Sequence, residues 1–276
     1  MNIHFVTDEK IAETSSKGNQ EKWKDGNRWY KLDQFGYEAL AESAVSCFLE
    51  QSNIETDTSF HFTHYRMERM NVHGRDRTGC SSENFLRPGQ SIITLSRLFR
   101  KNNIDLKAAL TRLPSDIRRI SYLAETTANL TSLRDFPRYL TLLFEVDALF
   151  LNDDRHLNNI AVLEEDGCFD YCPIFDNGAA LLSNTQISPM DIAPKALISA
   201  VKARPFNTTF NRQILSARKL YGPQLRIHKF SRSEIRDVLQ PMLSYYAQRD
   251  CGIILDRVDY HPSTKSGANV IVFNRS

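Results

Sequence analysis

Asp154 and Asn159 lie in the run Asn152-Asp153-Asp154-Arg155-His156-Leu157-Asn158-Asn159-Ile160, and Asp176 follows in Pro173-Ile174-Phe175-Asp176-Asn177-Gly178. Carboxylate and carboxamide oxygens are hard donors that suit magnesium, which keeps waters and phosphate oxygens in the rest of its shell. A further carboxylate beside such a site can orient a hydroxyl and take its proton. Phosphoryl transfer asks for little else beyond a lysine that positions the nucleotide, because its barrier yields to charge neutralisation and alignment. The roles fall to Asp154 as the base, Asn159 as a metal ligand and Asp176 as the principal magnesium ligand. The chemistry implied is that of a phosphotransferase.

The elements needed to position these groups can be read around them. An apolar helical pattern from Pro137 to Leu151, with Asp135 placed as its N-cap, delivers the chain into a loop too polar to bury. Ile160 to Leu163 then reads as a strand. Glu164-Glu165-Asp166-Gly167 is a turn, and Phe169 to Phe175 is a second strand that brings Asp176 back beside the first loop. Near the N-terminus, Thr14-Ser15-Ser16-Lys17-Gly18-Asn19-Gln20 is polar and glycine-containing, as a loop over phosphates would be. Strands at Glu21 to Trp23 and Arg28 to Leu32 flank the hairpin signal Lys24-Asp25-Gly26-Asn27.

Tyr37 to Gln51 carries an apolar stripe at helical spacing, with Glu38 and Glu42 on one face. Ser59 to Asn71 reads as a strand and Val72 to Ser82 as a polar loop. After Pro88-Gly89 helices dominate, around Thr94 to Lys101, Pro114 to Leu130, Pro189 to Lys202, Asn211 to Leu220 and Arg232 to Gln248, with a last short strand at Asn269 to Phe273. The fold class expected is α+β in two lobes, a strand-rich lobe over residues 1–86 and a mainly helical one over 87–276.

The 276 residues, 41% hydrophobic and 25% charged, suffice for a substantial core. A net charge of +2 without a like-charged run gives no sign of direct nucleic-acid binding. Five cysteines fit a reducing compartment better than a disulfide framework. The first residues lack the apolar core of a cleaved signal peptide, and no stretch approaches membrane-spanning length. These features read as a cytoplasmic chain, with export by a route lacking a cleaved signal left open.

Asp154-x-His156-x-x-Asn159, together with Ser15-Ser16-Lys17-Gly18-Asn19-Gln20-Glu21-Lys22, resembles the HipA-like serine/threonine kinases. Protein kinases keep the same five-residue offset from aspartate to asparagine and place their metal-binding aspartate after a similar hairpin. The resemblance spans most of Thr14 to Leu182. It implies a two-lobed kinase fold, ATP and Mg2+ in the cleft, Asp154 as base, Asn159 and Asp176 on the metal, and Lys31 on the phosphates, with Lys22 and Lys24 as rivals for that role. A helix carboxylate should then fix Lys31; Glu38 is the first choice and Glu42 the second. Ser15 stands where the family can carry a serine phosphorylated by the kinase itself. The adenine is expected against the backbone around Glu83 to Leu86, including Phe85.

The chain begins almost at the nucleotide loop, so it is more like the short, free-standing members than the longer toxins. The partner implied is a protein bearing a serine or threonine hydroxyl. Ser183, Thr185 and Ser188, on a substrate-facing loop, are candidate acceptors of their own. Rival readings are a small-molecule or lipid kinase on the same scaffold and a nucleotide-binding pseudokinase.

Overall fold

A computed structural model describes residues 3–6, as backbone, and residues 20–259. Ser15, Ser16, Lys17, Gly18 and Asn19 of the expected phosphate loop lie outside the described residues, as does the strand expected at Asn269 to Phe273.

The first lobe is a five-stranded sheet in the order β1-β4-β5-β3-β2. Its strands are β1 (Ile3–Val6), β2 (Lys22–Asp25), β3 (Arg28–Leu32), β4 (Tyr65–Val72) and β5 (Arg75–Glu83). β1 runs parallel to β4, and the other pairs are antiparallel. The β2–β3 hairpin turns at Gly26, whose φ of +58° suits glycine. β5 replaces the loop expected over Val72 to Ser82. Its turn is His73-Gly74, both at positive φ, as a tight two-residue hairpin requires. The strand beyond it carries small and polar side chains although it is the middle of the sheet. At Gly79 any Cβ would collide with the Lys31 carbonyl oxygen and the Met70 side chain.

Helix α1 (Glu38–Leu49) packs on one face of this sheet and, of its twelve residues, only Cys47 is not buried. A short α2 (Ile54–Asp57) follows, so the strand expected from Ser59 begins only at Tyr65. A separate cluster, Trp23, Tyr30, Leu32, Met70 and Val72, fills the opposite face.

The link 84–90 leads into the second lobe. There β6 (Ser91–Thr94), β7 (Ala161–Glu165) and β8 (Cys168–Tyr171) form a small antiparallel sheet. Asp166 and Gly167 both take positive φ at the β7–β8 turn. β8 is shorter than expected; Pro173 lacks the N–H that would extend the ladder. The helices are α3 (Leu95–Lys101), α4 (Leu106–Arg112), α5 (Asp116–Thr131), α6 (Phe136–Phe150), α7 (Pro194–Ala200), α8 (Phe210–Tyr221), α9 (Arg232–Leu243) and α10 (Gln248–Asp259). α4 and α10 had no counterpart in the sequence reading.

α6 is almost wholly buried. It ends at Leu151, which turns left-handed at φ +56° and releases the chain into the loop that carries Asp154. Asp135 holds the cap position without a side-chain cap hydrogen bond, and Pro137 occupies the first turn. Tyr139 of α6 donates to Cys172 O at 2.8 Å, fixing the end of the β7–β8 hairpin to the helix that launches the loop. One apolar core runs from Leu40 and Val45 of α1 through Leu140 and Phe144 of α6 to Ile214 and Leu239. The helix opposite Lys31 is thereby seated on the lobe that carries Asp154.

Candidate active site

Lys31 of β3 points from the sheet toward α1. Its Nζ lies 2.5 Å from Glu42 Oε1 and 2.8 Å from Asp176 Oδ1, and 5.0 Å from the centre of the Tyr65 ring. The Glu42 side chain is fully buried, and its other oxygen accepts the Asn177 N–H at 2.8 Å. One carboxylate thus joins the strand, the helix and the segment after β8. The expectation that Glu38 partners Lys31 is corrected. Glu38 sits at the first turn of the helix and accepts from the backbone N–H groups of Gln34, Phe35 and Gly36 at 3.3, 2.7 and 3.1 Å. It shapes the turn before α1, whereas Glu42, one turn deeper, comes level with Lys31.

Electrostatics follow from this packing. Burial alone would lower the Lys31 pKa, but Asp176 and Glu42 outweigh it and hold the ammonium well above its ordinary value. Burial would raise Asp176; the Lys31 ammonium, helped by Lys22 and Arg155, reverses that and keeps this carboxyl well below the usual range. Asp176 itself sits at φ +61°, a left-handed conformation that aspartate tolerates better than most residues.

Lys22 faces Lys31 across the β2–β3 ladder and therefore shares its face of the sheet. Burial lowers its pKa, with Asp176 acting against that shift. Lys24 pairs in register with Trp29, farther along the same hairpin. Gln20, the one described residue of the expected phosphate loop, donates its side-chain amide to Leu32 O at 2.8 Å.

Asp154 stands apart from this buried group, its side chain 60% exposed, with His156 Nε2 3.8 Å from its Oδ2. Asn159 Nδ2 donates to Asp154 O at 2.9 Å and reaches Oδ2 at 3.4 Å. The loop thus holds its aspartate and asparagine side by side. Burial and the field of Asp176 raise the Asp154 pKa, against the opposing pull of His156. Neighbouring Asp153 is pushed up to about 6 by burial and by Asp154.

The loop owes its shape to Arg155. This residue is fully buried and grips Asp147 of α6 through Nε and Nη2 at 3.0 to 3.1 Å. Its Nη1 donates to Asn159 O at 3.2 Å and Phe175 O at 2.6 Å, and its Nη2 to Asn177 Oδ1 at 2.7 Å. One guanidinium therefore ties α6, the Asp154 loop and the Asp176 segment together. Asn152 adds a second tie, donating to Asp147 Oδ1 at 3.1 Å and Asp176 O at 3.4 Å. The sequence reading gave Arg155 and Asp147 no role. The available signal was an aspartate inside the apolar stripe of α6, which a buried cation eight residues on has to balance.

Among the described residues, Asp176 Oδ2 and Asn159 Oδ1 have no protein hydrogen-bond partner, and no group of three or more histidine, cysteine, aspartate or glutamate side chains could cage a metal by itself. Carboxylate and carboxamide oxygens are hard donors of the kind that magnesium takes. Asp176 and Asn159 are the residues that would hold it.

At the link between lobes, Asn84 N donates to Asn27 O at 2.8 Å and Asn84 Oδ1 accepts from Trp29 Nε1 at 3.2 Å, so that amide is already engaged. Glu83 turns its side chain toward Arg28, 3.4 Å away. Phe85 packs on Phe175, in a cluster with Ala161, Leu163 and Cys172. A cavity of about 730 Å³ lined by Arg28, Thr63, Tyr65, Phe85, Leu163 and Tyr171 lies at this junction, and none of Lys31, Asp154 or Asp176 borders it. Ser183, expected as an acceptor, is fully buried and donates its hydroxyl to Gly178 O. Thr185 Oγ1 is bonded to Phe35 O at 2.6 Å, and Ser188 is buried.

No protein-family profile matches the chain, and no curated protein does. Among solved structures, the proinflammatory kinase CtkA of Helicobacter pylori superposes on 89% of this chain and 87% of its own, with a TM-score of 0.58 at 12% identity. The chain therefore has a kinase-like fold, with a strand-built first lobe and a helical second. HipA of Shewanella oneidensis MR-1, solved with HipB and operator DNA, aligns over 90% of this chain and 65% of its own at 12% identity, and its TM-score of 0.40 bears on nothing further.

Proposed function

We propose that this chain transfers the γ-phosphate of ATP, with magnesium, to a serine or threonine hydroxyl of a protein. The observation that carries the reading is the meeting of Lys31, Glu42 and Asp176 in one ion-paired group, from three separate parts of the chain, with Asp176 within electrostatic reach of Asp154. A surface ion pair would contribute little and need not be buried. A lysine held by two carboxylates at a cleft is poised to exchange one of them for phosphate oxygens.

In this reading Lys31 and Lys22 bind the phosphates, Glu42 aims Lys31, and Asp176 with Asn159 holds the metal. Magnesium, when bound, neutralises charge on the phosphate oxygens as the terminal phosphoryl group departs. Asp154 accepts the hydrogen bond of the incoming hydroxyl and takes its proton as the new O–P bond forms, and ADP leaves with the electrons of the broken bond. A polypeptide acceptor is supported by the exposure of Asp154 and of Ile187 on the segment beyond Asp176.

Incubation with γ-labelled ATP, magnesium and a generic basic protein tests the reading. Label should appear on serine or threonine and disappear with chelator. Label on small hydroxyl compounds alone would move the substrate to that class, and nucleotide binding without any transfer would make the chain a pseudokinase.

A further inference from the structure

The segment that follows Asp176 is gripped from two sides. On one side stands the turn before α1. Tyr37 N donates to Ser183 O at 3.2 Å, and Thr185 N donates to Phe35 O at 3.0 Å. Gly36 presses so closely that any Cβ would collide with the Ser183 carbonyl. On the other side stands Arg257 of α10, buried, whose Nη1 donates to Leu182 O at 2.9 Å. Its Nη2 donates to Ser188 O at 2.7 Å and Pro189 O at 2.5 Å. Nη1 also reaches the Tyr37 hydroxyl at 3.4 Å, and that hydroxyl donates onward to Leu181 O at 2.7 Å and Leu182 O at 3.1 Å.

Among the described residues no carboxylate pairs with Arg257; its acceptors are three main-chain carbonyls and one phenol. A buried guanidinium without a counter-charge is costly to desolvate, and the bonds of its two terminal nitrogens offset that cost while its Nε has no partner among the described residues. Apart from the Tyr37 hydroxyl, the acceptors of those bonds belong to one segment. Leu181 and Leu182 both lie at φ +58°, a region that leucine rarely enters, and their carbonyls are the ones that Tyr37 and Arg257 hold. Left alone, two leucines would relax out of that conformation. In the segment held this way Ile187 is 70% exposed.

We propose that Arg257 is a positioning residue that fixes residues 181–189 in the shape that receives the acceptor polypeptide, with Tyr37 as its relay to α1. The acceptor surface is then completed by a helix far along the chain from the Asp154 motif. This rests on the protein-kinase reading given above.

The test uses the full chain with Arg257→Met, Arg257→Lys and Tyr37→Phe. Hydrogen exchange at residues 181–190 should rise by about tenfold or more in Arg257→Met, less in Tyr37→Phe. The kcat/KM for a basic protein acceptor should fall by about tenfold while KM for ATP stays within about twofold. Arg257→Lys should recover only part, since one ammonium lacks the fork that reaches the three carbonyls at once. Unchanged exchange and acceptor KM in Arg257→Met would overturn the proposal, as would equal losses for ATP and acceptor. Should Arg257→Met fail to fold, Arg257→Lys and Tyr37→Phe decide by the same two readouts. If the wild type transfers no phosphate to protein, the functional reading falls, and the exchange measurement alone judges the clamp.

Discussion

The two halves of the candidate site are built in opposite ways. Lys31 and the fully buried Glu42 pair with each other and with a partly exposed Asp176, so this group is ion-paired before any ligand arrives while one Asp176 oxygen stays open. Asp154 and Asn159 sit on a loop facing solvent, where His156 and the Asn159 amide lie against the aspartate's carboxylate. Buried charges must be paired to be tolerated, so the nucleotide half is assembled by folding itself. An exposed carboxylate has no such constraint, and its partner is left to be supplied by the acceptor. The contrast separates variants that threaten the fold from variants that threaten only the reaction.

The largest effects belong to the buried half. Arg155→Met leaves Asp147 as an uncompensated buried carboxylate, and loss of one partner from such a pair costs about 3–5 kcal/mol. Denaturant unfolding should show that loss together with loss of transfer; a stable Arg155→Met protein would contradict the bracket described for this residue. Asp176→Ala should lower phosphate transfer by about a thousandfold or more, the scale of losing a transition-state electrostatic contact and a metal ligand together. It should also weaken magnesium-dependent nucleotide binding, measured by titration calorimetry.

Glu42→Gln and Glu38→Gln sharpen the comparison within one helix. Glu42→Gln removes the charge that aims Lys31, and kcat/KM should fall by about ten- to a hundredfold. Glu38→Gln keeps an acceptor for the 34–36 turn and should change activity by less than about threefold. The reverse order in a kinetic comparison would restore Glu38 as the partner of Lys31.

The smallest effect concerns Asp33, which burial pushes up to about 7 although it accepts from Ala39 N and the Tyr246 hydroxyl. A carboxyl whose folded pKa lies above its unfolded value binds more protons when native, so its contribution is present at low pH and fades as pH rises through 7. Wild type should therefore lose stability relative to Asp33→Asn as pH rises from about 4 to 7. Unfolding midpoints of the two proteins across that range check it, and parallel curves would refute it.

What the sequence disclosed follows from the same physics. The Asp154 loop was legible because polar residues between an apolar helix and a short strand can only lie on the surface, and the Asp-Gly hairpin set the return to Asp176. β5 was not, because a central strand of Arg, Thr, Gly, Cys and Ser shows no alternation of polarity, and His-Gly is a rare turn signal. Glu38 and Glu42 are one turn apart on one face, and only the depth at which α1 seats on the sheet tells which meets Lys31. Ser183 looked like an exposed acceptor until the turn at Gly36 was seen to cover it. Arg155 carries the same charge as any surface arginine, and its burial is a property of the three segments that converge on it.

The most direct test of the account is transfer of labelled phosphate from ATP to a protein acceptor by wild type and Asp154→Ala, alongside nucleotide affinity and thermal unfolding of both. Removal of a general base predicts a loss of about a hundred- to ten-thousandfold in transfer. Affinity for magnesium-ATP and the unfolding midpoint should stay unchanged, because this side chain is exposed and touches neither Lys31 nor Glu42. Transfer that survives in Asp154→Ala, or a variant that unfolds or no longer binds nucleotide, would contradict the division of the site into a buried nucleotide half and an exposed catalytic one.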